Sequence, residues 1–98
     1  MILRWHEDAE EEYASAAVPY EQQVENLGER FIGQVESAMA RVFAAPLLPH
    51  FFEGECRKVR RDKFPYSIIY RVSESEIQVV ALMHMSRRPE YWKRRLDG

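Results

Sequence analysis

Apolar residues follow two successive rhythms along this chain. Ile2, Leu3 and Trp5 make a short β-prone start. From Asp8 onward Ala9, Tyr13, Ala16, Ala17, Tyr20, Val24 and Leu27 recur at steps of three and four, the spacing of one helix face. Glu7, Asp8, Glu10, Glu11 and Glu12 crowd the first turns, where the helix dipole favours carboxylates. Pro19 removes a backbone donor inside this stretch and predicts a kink, and Gly28 predicts a break. A second stripe of Leu27, Phe31, Ile32, Val35, Met39, Val42 and Phe43 predicts another helix, ending before Pro46. So little chain between two amphipathic helices predicts an antiparallel hairpin with its stripes in the core. Residues 46–53 read as a connecting loop with aromatic anchors.

Beyond Gly54 the rhythm becomes that of strands. Residues 55–61 form a charged candidate strand, 66–72 are rich in β-branched and aromatic types, and 77–84 are almost wholly apolar. The polar stretch 73–75 is short enough to make the last two strands a hairpin. Residues 88–95 predict a short helical tail, with Pro89 at its first position. The order is therefore β-α-α-β-β-β plus a tail. It predicts an α+β fold in two layers, an antiparallel sheet packed on a helix hairpin.

At 98 residues and 46% hydrophobic composition, the chain predicts one domain spanning residues 1–98. Its single cysteine, Cys56, excludes an internal disulfide and reads as a passive small residue. The first residues turn acidic before any apolar run of signal-peptide length, and no run approaches the roughly 20 residues of a membrane span. The expected setting is cytoplasmic. His6, His50 and His84 are too scattered to read as a metal site, and no cofactor is expected.

The net charge of −2 hides a division. Residues 1–49 hold three Lys/Arg against nine Asp/Glu, and residues 50–98 hold eleven against seven, so the halves carry about −6 and +4. The second half thus predicts a basic surface suited to an anionic partner. Arg57, Lys58, Arg60, Arg61, Lys63, Arg88 and Lys93 are its candidates for binding a target or nucleic acid.

Two stretches carry a resemblance. Phe64-Pro65-Tyr66-Ser67-Ile68-Ile69-Tyr70-Arg71 is similar to the F-P-Y-x-I-x-Y strand of the RelE/ParE toxin superfamily. Residues 81–92, from Ala81 through His84, Arg87, Pro89 and Tyr91 to Trp92, are similar to its A-x-x-H-x-x-R-x-P-x-Y-W ending. Tyr20-Glu21, Leu27-Gly28 and Phe31 match its helix hairpin, with Pro19 departing from the aromatic usual beside that tyrosine. The resemblance spans nearly the whole chain and agrees with the element order read above.

The resemblance implies the toxin of a bacterial type II toxin–antitoxin pair, neutralised by a cognate antitoxin that wraps it with a helix and an extended segment. RelE-like members cleave messenger RNA in the ribosome, whereas ParE-like members poison DNA gyrase and are not nucleases. The F-P-Y strand and the R-x-P-x-Y-W ending are closer to ParE-like members. Ser67 stands where ribosome-dependent relatives commonly carry an arginine. The expected function is gyrase inhibition by binding, with plasmid stabilisation and growth inhibition as its biological counterparts.

The alternative is a metal-independent, ribosome-dependent endoribonuclease. Its catalytic set would be His84, Arg87 and Tyr91, supplying the acid, base and cation that RNA cleavage needs. Each also has a plainer reading: His84 as a hydrogen-bonded structural residue, Tyr91 and Trp92 as pins for the tail, Arg94 and Arg95 as a solvated end. A simple nucleic-acid-binding module ranks last, since there is no stacking platform or recognition helix. The apolar loop residues Leu47, Leu48, Phe51 and Phe52 are expected to capture an acidic amphipathic helix of the antitoxin.

Overall fold

The computed structural model describes residues 1–60 and 63–97. The elements run β1 (Ile2–Trp5), α1 (Glu7–Gln23), α2 (Leu27–Ala44), β2 (Phe51–Glu53), β3 (Cys56–Arg60), β4 (Tyr66–Val72) and β5 (Glu76–His84), closing with a 3₁₀ helix, Lys93–Asp97. The five strands make one sheet in the order β1-β5-β4-β3-β2. Neighbours from β5 through β2 are antiparallel, but β1 lies parallel to β5, with Trp5 opposite Val79. The sheet is therefore mixed rather than antiparallel throughout. The long crossover through both helices allows a parallel partner, which a hairpin could not.

Three local expectations change. Part of the predicted loop is a strand: β2 pairs with β3 through a turn at Gly54, whose φ of +57° is the left-handed conformation that glycine tolerates best. Helix α1 runs unbroken through Pro19, whose missing N–H leaves the Ser15 carbonyl without its helical donor. Gly28 is not the break. It lies buried in the first turn of α2, and a Cβ there would come within 2.9 Å of the Ala17 carbonyl oxygen, so it permits close approach of the helices. The reversal falls at Asn26, in the left-handed region, beneath a Glu21 carboxylate that accepts from the Asn26 and Gly28 amides at 2.9 and 3.0 Å.

One core lies between the helices and the sheet, with Phe31, Val35, Ala38 and Val42 of α2 packed against Ile68, Tyr70, Ile77, Val79 and Leu82. The helix stripes are not buried throughout: Ile32 and Phe43 stay exposed, the latter by 51%. A second cluster occupies the opposite face of the sheet, where Cys56, Ile69, Val80, Ala81 and Met83 surround a fully buried Trp92. The expected tail helix is thus a turn followed by a 3₁₀ segment, tightened by i→i+3 bonds such as Arg95 N–H to the Trp92 carbonyl at 2.9 Å. Its conformation serves the seating of Trp92. No helix among the described residues is long and apolar enough to cross a membrane.

Candidate functional site

A register shift in β5 determines which side chains reach the helix side of the sheet. Ile69 of β4 faces Ala81, but the next residue, Tyr70, faces Val79, so Val80 is the extra residue of a bulge. Strict alternation from Ile77 would send Leu82 and His84 to the tail face. The bulge instead leaves Val80 and Ala81 both in the tail-side cluster and returns Leu82 to the helix side. His84 follows, opposite Tyr66, with the two rings edge-to-face at 5.0 Å.

His84, Arg87 and Tyr91 thereby come together around an open cavity of about 240 Å³, bounded on the helix side by Glu12, Ser15 and Pro19. The Ser86 backbone N–H donates to His84 Nδ1 at 3.0 Å, and the Ser86 hydroxyl lies 2.7 Å from the same nitrogen. That donation occupies the Nδ1 lone pair and leaves Nε2 carrying the proton of the neutral ring. The Arg87 guanidinium stacks 3.9 Å from the centre of the Tyr91 ring.

Glu12, which the sequence reading treated only as a helix-dipole charge, organises the cluster. Its carboxylate accepts from Tyr91 Oη at 2.7 Å, from Arg95 Nη1 and Nη2 at 2.9 and 3.0 Å, and from the Leu82 amide at 3.1 Å. Arg95 Nη1 also donates to the Val80 carbonyl at 2.9 Å. Strand β1 ends at Trp5, opposite Val79, so β5 beyond that point has a bare edge. The Glu12–Arg95 pair satisfies its polar groups where a strand partner is missing. Arg95 is accordingly no solvated tail residue: its side chain is 9% exposed, against 18% for Glu12.

This environment holds the Tyr91 phenol in its neutral form. Burial first, then the hydrogen bond to Glu12, push the phenol far above its ordinary pKa, so it stays protonated as a donor. Burial opposes the charge on Arg95, but the bonds and charge of Glu12 outweigh it, and its pKa rises. Burial likewise raises the Cys56 thiol, consistent with a passive residue.

The other predicted cations do not join this cluster. Arg57 and Lys58 lie on β3, two strands from β5, roughly 10 Å across the sheet. Arg57 donates to the Leu47 and Pro49 carbonyls at 3.2 and 2.6 Å, stitching the connecting loop with Tyr70, whose hydroxyl donates to the Pro46 carbonyl. The Lys58 ammonium sits 4.2 Å from the Phe52 ring centre, and Lys93 reaches Glu53 at 3.4 Å. Arg60, Lys63 and Arg88 are exposed, whereas Arg61 lies outside the described residues. Ser67 is buried on the tail face opposite Met83, so an arginine there would point away from His84 and not restore a phosphate grip beside it.

Of the four loop residues, Leu47, Leu48 and Phe51 are exposed, Leu48 by 79%. Phe52 instead packs against the tail-side cluster. Beside Leu48 a cavity of about 310 Å³ opens between Arg41 and Arg60, floored by Val42, Pro49 and Val59. Among the described residues no three His, Cys, Asp or Glu side chains gather as a metal site.

A family model for the ParE toxin of the parDE type II toxin–antitoxin system matches residues 3–89. A solved chain of the chromosomal ParDE TA system from P. aeruginosa superposes with a TM-score of 0.77 over 88% of this chain and 97% of that one, at 14% sequence identity. That likeness concerns the fold. Among curated proteins none matches.

Proposed function

This chain belongs to the ParE toxin family of type II toxin–antitoxin systems, and from that premise we propose that it inhibits DNA gyrase by binding rather than by chemistry. The observation that carries this reading is the saturation of Glu12 by Tyr91, Arg95 and Leu82. The carboxylate that could serve as a base is consumed in holding the tail, and the phenol beside it is held protonated. His84 has its Nδ1 lone pair committed to Ser86. Exposed cations such as Arg60, Lys63 and Arg88 then serve to engage the target.

A second reading keeps one observation in its favour: His84, Arg87 and Tyr91 share a cavity. On that reading the chain is a ribosome-dependent endoribonuclease. Purified protein added to a gyrase supercoiling reaction, and separately to a translating extract with labelled messenger, distinguishes the two. The gyrase reading expects blocked supercoiling or trapped cleaved DNA with intact messenger. Codon-periodic cuts with normal supercoiling would overturn it.

The proposed neutralising partner is a cognate antitoxin that seats an acidic amphipathic segment on Leu47, Leu48 and Phe51. One apolar anchor would enter the cavity between Arg41 and Arg60. Co-expression with the protein encoded alongside should give a stable complex in native-size measurements. A free monomer alone would contradict it.

A further inference from the structure

The opposite edge of the sheet carries a second opening. Strand β1 is paired on one side only, and among the described residues no strand lies beyond it. The Ile2 amide donates to the Ser75 carbonyl at 3.0 Å and the His6 amide to Val79 at 2.8 Å, so the even-numbered residues of β1 turn their backbone groups toward β5. By strand alternation the N–H and C=O of Leu3 and Trp5 point outward, away from the sheet.

The side chains of these same two residues point to the helix layer. There they form one wall of a groove of about 470 Å³, with Tyr13 of α1 and Val35, Met39 and Phe43 of α2 on the other side. Trp5 stacks on Tyr13 at 5.2 Å, which fixes the floor. Glu36 is the one charged residue lining this groove among the described residues, and it is exposed. Arg4, the nearest cation in the strand, alternates to the other face and is bound to Glu76 at 2.8 Å. The groove is therefore apolar with a negative rim, the reverse of the Arg41–Arg60 cavity at the far edge.

We propose that the outer edge of β1 and this groove together form a docking site for an extended partner segment that alternates apolar and basic side chains. Such a segment adds a strand to the sheet through the backbone of Leu3 and Trp5. It places alternate apolar side chains against Trp5, Met39 and Phe43 and a cation beside Glu36. The main-chain bonds supply general affinity, and Glu36 selects the sign of charge. The site goes beyond the gyrase and antitoxin assignments and depends on neither.

The test uses the whole chain, ¹⁵N-labelled, titrated with a short synthetic peptide of alternating valine and lysine. A matched peptide of alternating valine and glutamate serves as comparison. The expected result is saturable shifts and slowed hydrogen exchange at the Leu3 and Trp5 amides with the lysine peptide alone. Glu36→Lys, an exposed change, should weaken that binding by about fivefold. Leu3→Pro should abolish strand addition while keeping β1 on β5, because the N–H it removes faces outward. Circular dichroism and retained Ile2 and His6 amide protection would verify that its sheet is intact.

Equal binding of the two peptides, shifts located elsewhere, or no binding by the wild type would overturn the proposal. Sedimentation showing that β1 is already closed by a second copy of the chain would overturn it as well.

Discussion

A carboxylate that accepts from a backbone amide, a phenol and both terminal nitrogens of an arginine has few lone pairs left for a reactant. Glu12 is such a group, and its partners predict what its loss does. Glu12→Gln keeps the shape but leaves the Arg95 charge with only the more distant, exposed Asp8 carboxylate at 3.7 Å. Breaking a buried pair from one side costs roughly 3 kcal/mol, which urea unfolding would register as a lower midpoint. Tyr91→Phe removes one hydrogen bond, at about 1 kcal/mol. If the gyrase reading is right, the phenylalanine variant still blocks growth in proportion to its folded fraction, whereas a nuclease would lose activity outright.

The same tyrosine gives a pH dependence whose sign follows from its raised pKa. In the unfolded chain Tyr91 ionises near its ordinary value of 10.0, but in the folded chain it stays protonated well above it. Its contribution to stability is therefore complete below pH 10 and is lost as pH rises beyond, by up to about 1.4 kcal/mol per pH unit. Tyr66 and Tyr70, also raised by burial, add to the same trend. Denaturant midpoints measured between pH 9 and pH 11 should fall more steeply for the wild type than for Tyr91→Phe. Parallel curves would show that the Glu12 contact contributes nothing to the folded state.

Among the elements, the helix hairpin depends on one missing side chain. Gly28→Ala would push a methyl group to 2.9 Å from the Ala17 carbonyl and 3.1 Å from the Glu21 Cβ. The backbone oxygen cannot move without shifting α1. The cost should be about 1–3 kcal/mol, seen as a lower melting temperature, while Gly33→Ala, facing open space, should be neutral or mildly stabilising. Both helices were legible in the sequence because their apolar spacing reflects the face they bury. Strands β4 and β5 were legible from their apolar, β-branched and aromatic runs, and β3 as a charged stretch after Gly54. Strand β2 was not, since its three residues are too few to show a period. The β5 bulge was not legible either: strand β5 is apolar on both faces, and a one-residue change of phase leaves no mark in an unbroken apolar run. Glu12 did leave a signal. It sits three residues after Ala9 and four before Ala16, both buried, so its carboxylate lies on the inward stripe. The four neighbouring acids concealed it, and its partner Arg95 is separated by 83 residues.

At the scale of the molecule, the sheet is covered twice, by the helices on one face and by the last residues on the other. The short tail therefore belongs to the core. Deleting residues 90–98 would remove Trp92 and Arg95 together, baring Val80, Ala81 and Met83 and freeing Glu12. Losing a fully buried tryptophan alone costs about 3–5 kcal/mol. The shortened chain should bind a hydrophobic dye and lose near-ultraviolet dichroism, the signs of a loosened core. Retention of a sharp unfolding transition would contradict this role. The two openings also differ in sign: the Arg41–Arg60 cavity lies beside β3 and the Glu36 groove along β1, on opposite sides of the central strands.

The bond between Glu12 and Arg95 also sets a timing. Helix α1 leaves the ribosome early, but the arginine its inward carboxylate will meet lies 83 residues further along the chain. Until Trp92 and Arg95 have emerged, the β5 edge is open and the Trp92 pocket is empty. A chain cut short before Trp92 and Arg95 thus lacks its closing contact, and the order of synthesis places the completion of the sheet after the last of its strands.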